Sequence, residues 1–330
     1  MDDDERPPAR VATDTHDFAP IIRILGRGPG KSRSLTRGEA RFALGEVLAG
    51  RVAREQVGAL LMLLRYRGEA VAEMVGLVEA ARRHAGLPWR FSQRVDLDWP
   101  SYADGRTRGL PWYLLAALLL AQCGVRVLMH GASVGPGRQA LMDSLAALGI
   151  APASGVDVAE AALASTGFAF VALEQLSPEL ADLLALRGVL GLRSPLNTAC
   201  RLLDPADAVG LVDGVFHPAY IALHLGAGGV LGRRLAVLKG GGGEAEWTGV
   251  KPLTLATCDG EQEWPALVAA GRPESQTPAE LAAVWRRQRD DPAAAAAVVA
   301  TAAVGLHAAG RLRGANACLS EARRLWDQRR

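Results

Sequence analysis

Paired cysteines and long apolar runs are lacking in this chain and aromatics are scarce, and the first two absences each remove a class of protein. Four cysteines, Cys123, Cys200, Cys258 and Cys318, lie far apart with no C-x-x-C pair, which excludes a cysteine zinc site and a disulfide framework. Aromatics make up 5% of the residues, so the 49% hydrophobic fraction rests largely on Ala and Leu. No stretch of eighteen residues lacks both charges and helix breakers, and the apolar run Tyr113 to Cys123 is too short to span a bilayer. The N-terminus MDDDERPPAR is acidic and polar instead of basic then apolar, so it does not read as a secretory signal, and a cytoplasmic protein is expected. No H-E-x-x-H, G-x-S-x-G or Walker motif occurs, and no G-x-G-x-x-G sits between a strand and a helix. Hydrolase, kinase and Rossmann readings therefore lack support.

What is present is length and an uneven charge. A chain of 330 residues is expected to form two domains with a substantial core. Its formal net charge of +2 conceals a basic segment: residues 20–67 carry ten Lys/Arg against three Glu. The last twenty residues carry six Arg against Glu321 and Asp327. Both segments suit a polyanion, and both are equally explained as a solvated, Arg-rich surface.

Residues 1–18 combine charge and Pro with little hydrophobicity and are expected to be a disordered leader. Residues 19–90 read as a helical domain, in which Thr36 and Glu39 form a capping box. The stretch Glu55 to Arg65 is apolar on most faces, as in a helix buried in a core or at a subunit interface. After Leu87-Pro88 short β-type runs alternate with helices, which predicts a larger α/β domain with a mostly parallel central sheet covered by helices. Candidate strands are Val125 to His130, Phe168 to Leu173, Ala208 to Val212, Arg234 to Lys239 and Leu253 to Thr257. The α/β domain thus takes residues 91–177 and 204–330, and the helical stretch 178–203 is inserted between them.

Three patterns could carry chemistry. Val127 to Ser133 is a strand ending in His130-Gly131 and entering the loop Val134-Gly-Pro-Gly137, an arrangement that offers backbone amides to an anion. His130 reads as a site residue or as a hydrogen-bonded histidine at a strand end, and spacing alone favours the latter. The loop Lys239-Gly-Gly-Gly-Gly-Glu-Ala-Glu246 could approach phosphate through Gly241 and Gly242 and hold Mg²⁺ on Glu244 and Glu246, or be a flexible hairpin. Asp96 and Asp98 could be a metal pair, but period-two alternation at the start of a half-exposed strand explains them more simply.

The order of apolar, Arg and Gly-Glu positions in Gln56 to Glu69, followed by Glu73 to Ala80, resembles the N-terminal helices of class III phosphoribosyltransferases. Arg187-Gly-Val-Leu-Gly-Leu-Arg-Ser-Pro-Leu-Asn197 and Leu203-Asp-Pro205 resemble further elements of the anthranilate phosphoribosyltransferase-like family, glycosyltransferase family 3. The resemblance implies a small helical domain, completed by helices from about 178–203, joined to an α/β domain, with the helical domains pairing into a homodimer. It also exposes departures. Asp96-Leu-Asp-Trp-Pro-Ser-Tyr-Ala-Asp-Gly105 stands where the family has a glycine-rich diphosphate loop, so close backbone approach is lost. Met129-His-Gly-Ala132 and Glu244-Ala-Glu246 replace the Lys-His-Gly-Asn element and the Asp-Glu metal pair.

What survives is an altered ligand cleft: Asp96, Asp98, Trp99, Tyr102, His130, Gly131, Gly241 and Gly242, with Arg187 matching an anthranilate-contacting arginine and Asn197 beside it. The combination is similar to the YbiB-type branch of the family, associated with sequence-independent nucleic-acid binding by a homodimer. That resemblance implies DNA or RNA as partner and no membrane, with Arg27, Lys31, Arg33 and Arg37 as the preferred contacts. No cofactor is then required. The alternative is an active transferase for an altered acceptor, using phosphoribosyl diphosphate and Mg²⁺.

Overall fold

The computed structural model describes residues 18–28, 30–103, 109–135, 137–267 and 271–330. The leader expected over 1–18 lies outside the described residues except for Phe18, which is 2% exposed and belongs to the core. Pro136, Asp104 and Gly105, from the loops singled out in the sequence, also lie outside them.

Four helices follow: α1 Ala19–Gly26, α2 Arg37–Leu48, α3 Arg54–Arg67 and α4 Val71–His84. α2 starts at the capping box, where Thr36 Oγ1 accepts from the Glu39 N–H at 3.2 Å and Glu39 Oε2 accepts from the Thr36 N–H at 2.8 Å. Its buried residues Ala40, Ala43, Leu44, Val47 and Leu48 recur on one face. α4 crosses that face closely because Gly76 has no side chain: a Cβ there would lie 2.3 Å from the Arg37 carbonyl oxygen. α3 buries only Val57, Leu60, Leu61 and Leu64, so the helix enclosed on nearly all sides is α4, not the more apolar-looking α3. The reason is position. α4 lies against α2, the inserted helix Leu196–Ala199 and the later helix Ile221–Val230. The insertion is tied down by Arg82 of α4, which donates to the Leu203 and Asp204 carbonyls and pairs with Asp207 at 2.7 Å.

The α/β domain is built on a seven-stranded sheet of β1 Leu97–Ser101, β2 Val127–Gly131, β3 Phe168–Ala172, β4 Gly210–Val215, β5 Leu235–Lys239, β6 Leu253–Thr257 and β7 Gly260–Trp264, in the order β3-β2-β1-β4-β5-β6-β7. β1 to β5 are parallel, while β6 and β7 are antiparallel. β1 is central and buried at all five positions, which corrects its reading as half-exposed. Covered on both faces, such a strand need not alternate in burial even where Asp and Leu alternate in sequence. Period two reappears in the division of side chains. Val127 and Met129 join the apolar layer formed with α5 Trp112–Gln122 and the helix Pro292–Ala308, whereas Leu128 joins the layer shared with the helical domain. The polar strand β7 was not expected. Its signal was Asp259-Gly260, a tight turn that pairs Thr257 with Gly260.

Among the described residues no helix is long and apolar enough to cross a membrane. The chain thus has a helical N-terminal domain and an α/β domain with a mostly parallel sheet.

Candidate functional site

In open α/β sheets a crevice forms where the chain leaves a central strand in opposite directions, at the carboxyl ends of the strands. Here that point lies between β1 and β4. A cleft of about 330 Å³ opens there, floored by Tyr102 after β1, Gly214 to His217 at and beyond the end of β4, and Gly243 after β5. The opposite wall comes from the helical domain and its insertion, through Arg65, Glu69, Arg187 and the segment Gly191 to Ser194 with Asn197.

Of the cleft residues expected from sequence, the structure brings together Tyr102, Arg187 and Asn197. The others stand elsewhere, each for a packing reason. Asp96 is at the opposite end of β1, where Oδ2 accepts from the Arg126 N–H at 2.8 Å and pairs with Arg311 at 3.2 Å. Trp99 is fully buried in the layer beneath α5. His130 is fully buried between two partners: Nε2 lies 3.3 Å from Asp98 Oδ2, and Nδ1 2.8 Å from the Tyr102 hydroxyl. Asp98 and His130 therefore sit behind Tyr102 and not in the cleft. Burial pushes the Tyr102 phenol well above its ordinary range, so it stays neutral. Gly131 is required by packing, since a Cβ would lie 2.2 Å from the Ser101 carbonyl oxygen. Gly241 and Gly242 form a tight turn, Gly242 at φ 66°, that leaves only Gly243 on the cleft.

Glu244 and Glu246 are 2% and 4% exposed and are engaged by the main chain. Glu244 Oε1 accepts from the Ala103 N–H at 2.7 Å, and Glu246 Oε2 from the Tyr113 N–H in the first turn of α5 at 3.0 Å. Among the described residues no group of three or more His, Cys, Asp or Glu is placed to hold a metal ion. Each carboxylate thus serves, through one of its oxygens, as an internal anion at an amide donor.

Sequence reading missed the best-organised group in the cleft. Asp213 of β4 is fully buried, and its Oδ1 accepts from Arg201 Nη1 at 2.9 Å while Oδ2 lies 2.5 Å from His224 Nδ1. Arg201 is locked further by the Gly214 and Gly243 carbonyls, each at 2.9 Å. Burial alone would raise the Asp213 carboxyl, but His224 and Arg201 outweigh it and hold it below the ordinary carboxylate range. Beside them the Glu69 carboxyl is raised, chiefly by burial. Arg65 lies 5.7 Å from the centre of the Tyr220 ring and donates to its hydroxyl. The signals were there to read: one Asp within Leu-Val-Asp-Gly-Val and one His within Ile-Ala-Leu-His-Leu, each alone in an apolar run.

Outside the cleft the four expected nucleic-acid contacts differ. Arg33 makes a two-pronged pair with Glu39 at 2.7 Å, which holds that carboxyl at about 2, and Arg37 pairs with Glu79 in the same manner. Arg27 and Lys31 are exposed, with no carboxylate partner among the described residues.

Residues 19–85 match the glycosyl transferase family helical bundle domain. The chain is 33% identical over 208 residues to YbiB, an uncharacterized protein of Escherichia coli (strain K12), covering 62% of this chain and 65% of that protein. It is 32% identical over 206 residues to the anthranilate phosphoribosyltransferase of Beijerinckia indica subsp. indica, covering 62% and 58%. The matches thus span less than two thirds of these curated relatives. Over the fold the likeness is wider. Anthranilate phosphoribosyltransferase from Thermus thermophilus superposes with a TM-score of 0.79 at 26% identity, covering 93% of this chain and 94% of that one. The Saccharomyces cerevisiae enzyme in complex with PRPP and Mg gives 0.75 at 15% identity, covering 94% of each. Residues 19–85 thus resemble the glycosyl transferase family helical bundle domain, and the chain as a whole shares the two-domain fold of anthranilate phosphoribosyltransferase.

Proposed function

We propose that this protein is a cytoplasmic homodimer that binds DNA or RNA without sequence preference, on a phosphoribosyltransferase scaffold whose diphosphate site has been rebuilt. The observation that carries the reading is the unneutralised charge of the helical domain. Arg23, Arg27, Lys31 and Arg54 are exposed and have no carboxylate partner among the described residues, in a segment with ten Lys/Arg against three Glu. Backbone recognition needs distributed cations of this kind, not a catalytic constellation. Phe42 and Tyr66, 51% and 91% exposed in the same domain, are aromatic faces on which unpaired bases can stack.

A second reading has one observation in its favour: Arg187 and Asn197 still line a cleft at the switch point, as an active transferase for an altered acceptor requires. Against it, the carboxylates that would take Mg²⁺ are engaged by the amides of Ala103 and Tyr113. Titration with short single-stranded and duplex DNA at several salt concentrations, beside phosphoribosyl diphosphate with Mg²⁺, separates the two. Affinity for DNA that falls steeply with salt, without donor binding, supports the first reading. Micromolar donor binding with pyrophosphate release overturns it.

A further inference from the structure

β3 is the edge strand of the parallel half of the sheet, and its outer side is only partly covered. The Val127 N–H donates to the Gly167 carbonyl at 2.8 Å, which fixes the alternation: Ala169 and Val171 face β2, while Phe168 and Phe170 turn their backbone groups outward. The Phe170 carbonyl accepts from the Ala153 N–H at 2.7 Å, and the Phe168 N–H donates to Thr166 Oγ1 at 3.3 Å. The Phe170 N–H has no hydrogen-bond partner among the described residues, although Phe170 is 1% exposed. A buried donor left in this way invites an acceptor.

A cavity of about 330 Å³ wraps this edge, since Phe168 and Phe170 from one face of β3 and Ala169 from the other all line it. Leu118 of α5, Leu148, Ile150 and Trp285 extend the apolar wall, and no lining side chain carries a charge. Its hydroxyl and amide side chains are engaged by main chain. Ser165 Oγ donates to the Ala161 carbonyl and Thr166 Oγ1 to the Ala162 carbonyl, each at 2.8 Å. The Gln122 side chain accepts from the Arg330 N–H at 3.3 Å and donates to the Arg330 carbonyl at 3.4 Å. An ion entering here would lose its hydration with no countercharge to replace it. A dry apolar cavity of about 150 Å³ takes one benzene ring, so the space beside β3 suits two fused rings.

We propose that this cavity binds an uncharged two-ring molecule bearing one hydrogen-bond acceptor, which the Phe170 N–H receives while Ile150, Phe168 and Trp285 cover the rings. The site lies two strands away from the β1–β4 cleft and shares no lining residue with it. It holds none of the cations proposed for nucleic acid, so it stands or falls independently of that reading.

The test uses the full chain labelled with ¹⁵N and titrated with α-tetralone, a fused bicyclic ketone. Tetralin, which has the rings without the acceptor, and 2-naphthoate, which adds a charge, serve as controls. Saturable movement of the Phe170 amide and Trp285 indole resonances is expected with α-tetralone, with several-fold weaker binding of tetralin and weaker binding still of 2-naphthoate. Ala162→Phe, which adds a ring at the cavity wall, should lower α-tetralone affinity at least tenfold. Unmoved Phe170 and Trp285 resonances at the solubility limit, tetralin binding as tightly as α-tetralone, a preference for 2-naphthoate, or unchanged affinity in folded Ala162→Phe overturns the site. Sedimentation velocity adds one more outcome: dissociation of the chain on adding α-tetralone would give the cavity to a second copy and overturn it as well. The wild-type resonances keep the test decisive if Ala162→Phe fails to fold.

Discussion

Glu246 and Tyr113, 133 positions apart, are joined by a 3.0 Å hydrogen bond in which the Tyr113 backbone N–H donates to the Glu246 carboxylate. α5 has no acidic residue in its own first turn and no side-chain cap, so a residue from beyond β5 supplies the negative charge its N-terminus favours. Glu246→Ala should lower stability by about 1–3 kcal/mol, the cost of a buried donor left without its acceptor. Glu246→Gln should lose less, because its amide oxygen can still accept. Urea denaturation of both variants checks this, and equal losses would show that the hydrogen bond is not what the carboxylate contributes.

Two carboxyls give the stability curve opposite slopes in adjacent pH windows. Arg33 holds Glu39 at about 2 against an ordinary 4.5, so its contribution is present above the ordinary value and is lost as pH falls toward 2. Burial, reinforced by the nearby Asp98, raises Asp204 to about 6 from an ordinary 3.8. The folded chain therefore retains a proton that the unfolded chain has released, and stability falls as pH rises from about 4 to about 6. The fall attributable to Asp204 is on the order of 2–3 kcal/mol. Urea titrations at pH 4, 5, 6 and 7 should show it in the wild type and a flatter profile in Asp204→Asn. A parallel profile in the variant would remove Asp204 from the account.

Two glycine replacements should act in opposite directions. At Gly131 a Cβ would approach the Ser101 carbonyl oxygen to 2.2 Å, in the middle of the sheet, so Gly131→Ala should cost about 1–3 kcal/mol through forced strand displacement. At Gly45, inside α2, a Cβ meets nothing within 4 Å, and Gly45→Ala should add about 0.5–1 kcal/mol. Thermal melts of the pair decide it. A tolerated Ala at position 131 would contradict the close β1–β2 approach.

Arg27→Glu with Lys31→Glu should weaken DNA binding and reduce the slope of log affinity against log salt by about 2, one for each phosphate no longer neutralised. Arg33→Glu and Arg37→Glu are less direct tests, because they also break the pairs with Glu39 and Glu79. Filter-binding curves across a salt series would expose an unchanged slope in the double variant and so exclude these two residues from the surface.

Fold was legible where local chemistry and global packing agree. Thr36 and Glu39 announce α2, and the apolar runs around Met129, Phe170, Val212 and Val237 mark parallel strands. The site was less so. His130-Gly131 drew attention because a histidine and a glycine end a strand, yet one is satisfied by Asp98 and Tyr102 and the other is demanded by the Ser101 backbone. His224 and Asp213 gave no spacing signal, being eleven residues apart on a helix and a strand that meet only after folding. Arg187 and Asn197 were accessible through resemblance, because their motif is local.

The position of β1 also sets a timetable. It pairs with β2 through Leu97 and Val127 on one side and with β4 through Leu97 and Gly210 on the other. On a ribosome the half-sheet β3-β2-β1 can assemble early, but its inner edge stays open until the chain has been extended through β4. α4 waits as long for the segment around Leu196 that covers it. Both gaps are filled by the same late stretch of polypeptide, which couples completion of the two domains into one long-range event. Such closure is slow compared with helix formation. A chain halted between β3 and β4 would present an unpaired strand edge beside an uncovered apolar helix, the nascent species most exposed to aggregation and chaperone capture.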